Sequence, residues 1–156
     1  MGIYVNPGNT AFRKALNSDI YVDKTELISV TNARIDKSNC FMCVSRPRRF
    51  GKSMAADMLS AYYSRGCDSS LLFSGLKIKA DSSFDEHLNS YNVIRLDIQQ
   101  FLFHEAHLDI FISKIQQEVI NELQKEYSEY FKADQYGLPG VLKQIYAHTE
   151  NEWFYL

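Results

Sequence analysis

The segment that most constrains this chain is Ser45-Arg46-Pro47-Arg48-Arg49-Phe50-Gly51-Lys52-Ser53, a basic loop sequence set between an apolar run and an amphipathic one. The run before it, Cys40-Phe41-Met42-Cys43-Val44, is short and unbroken. That is the pattern of a strand covered on both faces in a parallel sheet. After it Ala55, Met58, Leu59 and Tyr62 recur at helical spacing to about Ser64, and Gly66 stands where such a helix would stop. The expected order is therefore strand, loop, helix, with the unpaired amides and the positive dipole end of the helix directed at the loop.

That order gives the loop a chemical reading. The phosphate-binding pattern G-x-x-x-x-G-K-[ST] needs amides that point inward at the phosphates, a lysine for the terminal phosphates and a hydroxyl for magnesium. Gly51, Lys52 and Ser53 fill its last three places, while Arg46 stands where the first glycine belongs, so the pattern is met in part. The plainer alternative is a basic surface turn with solvated arginines. Against it, Arg46, Arg48 and Arg49 repel one another and the helix dipole, by a few tenths of a kcal/mol up to about 1 kcal/mol each, unless an anion sits among them.

Elsewhere the chain alternates helical and extended patterns. Asn9 is placed to cap a helix over Thr10 to Leu16, and Ile20-Tyr21-Val22 reads as a brief extended piece. Asp23 and Glu26 have the spacing of a capping box before a helix that runs to about Arg34. Leu71 to Ile78 is ambiguous, and Ser83 to Leu88 suggests a helical turn or two. Val93 to Ile98 alternates as a strand, with Ile94, Leu96 and Ile98 on one face. A long helix is expected from Asp109 to Phe131, with Ile112, Ile115, Val119, Leu123 and Tyr127 as its apolar stripe opposite Lys114, Gln117, Glu118 and Glu122. Another follows through Val141 to Ala147, and Trp153 to Leu156 reads as a strand.

Composition narrows the class. The 156 residues make about one domain, 46% hydrophobic and 23% charged, which excludes a disordered chain. A net charge of -2 gives no global reason to expect nucleic acid, and no apolar run approaches the roughly 20 residues that span a bilayer. With no signal-like start, a cytoplasmic protein is the expectation. Cys40, Cys43 and Cys67 are an odd set that reads as buried thiols rather than a disulfide framework. His104 and His107 read as exposed, and Asp97 as a strand-end aspartate rather than a metal ligand, since Gln99 and Gln100 follow where an acid would be wanted.

The basic loop, with Tyr21-Val22-Asp23-Lys24-Thr25 before it and Phe73-Ser74-Gly75-Leu76 after it, resembles the predicted AAA-ATPase-like family of bacteria over essentially the whole chain. The resemblance implies an α/β fold of the P-loop NTPase type, three-layered with a mainly parallel sheet, of which this is the N-terminal part of a single domain. ATP and Mg²⁺ are the implied ligands. Arg46, Pro47, Arg48, Arg49, Phe50, Gly51, Lys52 and Ser53 form the implied nucleotide site, with Lys52 on the β and γ phosphates and Ser53 on the metal. The family's loop also lacks the first glycine. Its acidic Walker B pair lies beyond a strand like Trp153 to Leu156, so this stretch is expected to bind rather than hydrolyse. A C-terminal nuclease-like domain is a frequent companion in the family. If the loop strand is central, its sheet neighbours come later in the sequence, and the chain alone is expected to be marginal and prone to association. Two functions follow: the nucleotide-binding half of an ATPase, or a non-hydrolysing module for nucleotide or another polyanion.

Overall fold

The computed structural model describes residues 2–35, 37–45, 47–102, 108–130, 137–149 and 153–156. Its elements in chain order are α1 (Thr10–Leu16), α2 (Glu26–Asn32), α3 (Lys52–Tyr63), α4 (Ser70–Phe73), a 3₁₀ turn (Lys77–Ala80), α5 (Phe84–His87), β1 (Asn92–Ile94), α6 (Ile98–Leu102), α7 (Leu108–Glu126), a 3₁₀ turn (Ser128–Tyr130), α8 (Leu138–Thr149) and β2 (Trp153–Tyr155). β1 and β2 pair in parallel, Val93 opposite Phe154, which makes the chain an α/β protein.

β1 is the hinge of the architecture. Successive strand residues point to opposite faces, and here Val93 joins a cluster with Phe12, Ile28, Tyr62, Tyr63 and Phe73 while Ile94 joins another with Val5, Val119, Leu123 and Ile145. Helices therefore cover both faces of the small sheet. The outer edge of β1 is taken by the N-terminal segment, with Asn6 N donating to Val93 O at 2.8 Å and Arg95 N to Tyr4 O at 2.9 Å. The Asn6 side chain continues the pairing, its Oδ1 accepting from Val93 N and its Nδ2 donating to Asn92 and Glu126.

The N-terminal segment is held by Glu122. Its carboxylate accepts from the amides of Ile3, Tyr4 and Val5 at 2.8 to 2.9 Å. A β-carbon on Gly2 would come within 2.6 Å of the Val5 carbonyl and collide with that carboxylate, so the chain passes only because the residue is glycine. Glu122 was expected on the solvent face of α7; the turn of helix that carries it instead faces a row of amides that need an acceptor.

Several expectations change. Cys40 to Val44 forms no strand and its side chains are mostly exposed, Phe41 at 91%, and among the described residues no strand pairs with this apolar run. The Cys40 and Cys43 thiols are accordingly exposed, not buried. Ile20 to Val22 is not a strand, β1 ends at Ile94, and Ile98 belongs to α6 rather than to the strand. The buried stripe of α7 begins at Phe111 rather than Ile112, four residues before Ile115, and the helix ends at Glu126. Phe131 lies outside the described residues. α8 starts earlier than expected, at Leu138, because Pro139 falls in the first turn, where a helix needs no amide donor.

Candidate functional site

Pro47 to Phe50 is exposed and runs into α3 through Gly51. Arg49 has φ +68 and Gly51 φ +80, both in the left-handed region. A residue with a β-carbon pays roughly 1–2 kcal/mol there, so Gly51 occupies its place freely while Arg49 does so under strain. Lys52 and Ser53 open α3 with exposed side chains, and Lys52 Nζ donates back across the loop to the Pro47 carbonyl at 3.1 Å. N-cap Gly51 brings no side-chain acceptor to the first amides of this 12-residue helix.

A cavity of about 860 Å³ opens on this turn, lined by Arg48, Arg49, Gly51, Lys52, Ser53, Met54 and Gln99. The first five are residues the sequence assigns to the phosphate site. Pro47 and Phe50 belong to the same loop but stay out of the lining, and Arg46 lies outside the described residues. The lining residues supply cationic groups, a hydroxyl, an amide and a helix N-terminus, the donor set of an anion site. Gln99 is the residue the sequence reading missed. It enters on α6 just after β1, and its signal was position, since in parallel sheets ligands sit beyond the carboxyl ends of strands.

The loop is anchored from behind by the corner Asp23-Lys24-Thr25. Asp23 Oδ1 accepts from the Thr25 amide at 2.9 Å and hydroxyl at 2.7 Å, and its Oδ2 accepts from Lys77 N at 2.9 Å. Thr25 Oγ1 in turn accepts from Ile78 N at 3.2 Å. Burial opposes the charge on Asp23, but the Lys77 amide, the Thr25 donors and the Lys77 charge outweigh it and hold the carboxyl below its ordinary value. The expected capping box is not formed, because both oxygens of Asp23 are committed to this corner and Glu26 pairs outward with Lys77 at 3.1 Å. Asn9 likewise does not cap α1; its amide donates to Asp68 O and Ser69 Oγ. Lys24 reaches the loop itself, donating to Phe50 O at 3.3 Å.

Beside the polar cavity lies an apolar groove of about 730 Å³, bordered among others by Phe41, Met42, Ala56, Leu59 and Phe154, with Lys52 shared between the two. Asp97 Oδ1 accepts from Gln99 N at 3.0 Å just before α6. Arg95, at the end of β1, pairs with Asp57 of α3 at 2.5 Å and so ties the strand to the helix that carries Lys52. His104 and His107 lie outside the described residues, among which no group of three metal-ligating side chains occurs. No helix among them is long and apolar enough to cross a membrane.

The model of a family described as predicted AAA-ATPase matches residues 8–156. No curated protein and no solved structure matches the chain.

Proposed function

The chain belongs to the family of predicted AAA-ATPases, and from that premise we propose that it binds ATP with Mg²⁺ through the loop from Arg46 to Ser53. One observation carries the reading: the left-handed turn at Arg49 and Gly51 delivers Arg48, Arg49, Lys52 and Ser53 to one cavity at the N-terminus of α3. In this reading the loop and first-turn amides take the phosphate oxygens, Lys52 exchanges the Pro47 carbonyl for the β and γ phosphates, and Arg48 and Arg49 add charge at the rim. The residues fit the group: an exposed hydroxyl one position after that lysine, on the first turn of the helix, suits a magnesium ion shared with the phosphates, and Ser53 would hold it. The metal would supply charge neutralisation between the β and γ oxygens.

The same reading takes the architecture to be of the P-loop type. The parallel pairing of β1 and β2 and the two clusters on opposite faces of β1 support it. Binding of a fluorescent ATP analogue with magnesium to the wild-type chain and to Lys52→Ala tests the site. Loss of a charge-assisted contact to phosphate weakens binding by about tenfold or more, and equal binding by the two proteins would overturn the reading.

A second reading, nucleotide or polyanion binding without hydrolysis, is favoured by the cavity lining, which among the described residues contains cationic side chains, a hydroxyl and an amide but no carboxylate. Magnesium-dependent phosphate release that Lys52→Ala abolishes would favour the ATPase, and nucleotide binding with no release would favour the module.

A further inference from the structure

The peptide that joins Phe50 to Gly51 is held from one side by Lys24. Lys24 Nζ donates to the Phe50 carbonyl at 3.3 Å, and it lies 3.3 Å from the point where a β-carbon on Gly51 would sit. Neither Lys24 nor Phe50 lines the polar cavity, whereas Gly51, Lys52 and Ser53 do. A trans peptide is planar, with its C=O and N–H pointing in opposite directions. Pinning the Phe50 oxygen at Lys24 therefore turns the Gly51 amide away from Lys24.

The alternative orientation would do harm at an anion site. Rotated by half a turn, the same peptide would present its carbonyl oxygen where the amide now points, and a carbonyl dipole repels phosphate. Gly51 has no β-carbon and φ +80, a backbone with more freedom than any other residue would allow, so the peptide before it needs an external restraint. Lys24 is suited to supply one because its neighbours are fixed. Asp23 and Thr25 accept from the Lys77 and Ile78 amides, so the tether runs from that distant segment through Lys24 to the loop.

We infer that Lys24 is a positioning residue of the phosphate loop, orienting the Phe50–Gly51 peptide so that its amide serves the bound anion. This inference rests on the nucleotide-binding reading of the loop. It gives the Asp23-Lys24-Thr25 corner a task beyond starting α2, beside a Gly51 whose left-handed backbone already favours glycine.

The test uses wild type, Lys24→Ala, Lys24→Arg and Lys52→Ala, each titrated with a fluorescent ATP analogue in the presence of magnesium and each melted without ligand. Lys24→Ala weakens binding by about tenfold, the loss of one charge-assisted hydrogen bond acting through the loop. Its melting midpoint stays at the wild-type value, because the side chain is exposed. Lys24→Arg keeps a long cationic donor and recovers most of the affinity, which a purely steric role would not predict. Wild-type binding by Lys24→Ala, while Lys52→Ala fails to bind, overturns the role of Lys24 and leaves the site reading standing. Wild-type binding by Lys52→Ala overturns the site reading and this inference with it. A loss in Lys24→Ala that arginine does not recover, or that comes with a lowered melting midpoint, also overturns the positioning role.

Discussion

The two ends of α3 are built on opposite principles. At its C-terminal end every residue from Met58 to Tyr63 is buried, and the two tyrosines satisfy their hydroxyls inside the protein, Tyr62 on Phe84 O at 2.8 Å and Tyr63 on Asn32 Oδ1 at 2.6 Å. Burial pushes the Tyr62 phenol up to about 12 and the Tyr63 phenol higher still, so both remain neutral donors at any physiological pH. At its N-terminal end Lys52 and Ser53 are exposed, the preceding loop holds a strained Arg49, and positive groups gather at the positive end of the dipole. One end repays its ordering with contacts, while the other sets its charged and hydroxyl side chains at the surface, lining a cavity. On the proposed function the helix carries stability and binding on separate turns, and the two are then separable by substitution.

The sharpest way to break that separation is Tyr63→Ala. Its ring stacks on Phe154 at 4.1 Å and meets Tyr62 edge-on, so truncation leaves a cavity between α3 and β2 and strands the Asn32 acceptor. The expected cost is about 3–5 kcal/mol in unfolding free energy, read from denaturant titration. Lys52→Ala is its counterpart, with nucleotide affinity lost and the unfolding midpoint kept within about 0.5 kcal/mol of wild type. If Lys52→Ala unfolds the protein or Tyr63→Ala leaves it intact, the division of labour along α3 is wrong.

How much of this was legible in the sequence follows the same division. α1 and α3 have the limits that periodicity and Gly66 suggested, and β2 and the long α7 stand where their patterns placed them, because each is a local pattern with a buried face. The loop residues Arg48, Arg49, Gly51, Lys52 and Ser53 meet at one cavity, since they are close in the chain and open a helix. What the sequence hid is non-local. Asn89 donates to the carbonyls of Ala61, Tyr62 and Ser64 and accepts from Ser69 N, closing the end of α3 from more than twenty residues away. Glu122 bonds to amides at the other end of the chain, and Lys24 reaches Phe50. No spacing rule announces such partners. Cys40 to Val44 failed for the converse reason: an apolar run becomes a strand only when neighbours pair with it, and among the described residues none do.

A smaller effect separates the corner behind the loop from the core. The Asp23 carboxyl is held below its ordinary value, so its folded pKa is lower than its unfolded one. A group depressed in this way stabilises the fold above its unfolded value, near pH 4, and that contribution is lost as the pH falls through the lower folded value. The melting midpoint of Asp23→Asn should lie below that of wild type at neutral pH, and the gap should close in acid. Asp68 and Asp81 are also depressed, which is why the difference between the two proteins, rather than the acid limb of either, reports on Asp23. A gap that stays constant from pH 7 to pH 3 would mean that Asp23 acts through shape and not through charge.

The smallest expected effect is the one that most directly tests the open side of the molecule. Phe41 is 91% exposed beside the apolar groove, whereas Phe12 and Phe73, stacked at 5.0 Å, are fully buried. An exposed aromatic with few neighbours loses little when truncated, so Phe41→Ala should shift the unfolding free energy by no more than about 0.5 kcal/mol. Phe73→Ala, measured beside it, should cost about 3–5 kcal/mol. A loss of that larger size for Phe41→Ala in dilute monomer would mean that the segment is buried in solution after all. The strand expected from its sequence would then be formed, and the groove between it and Phe154 would be closed.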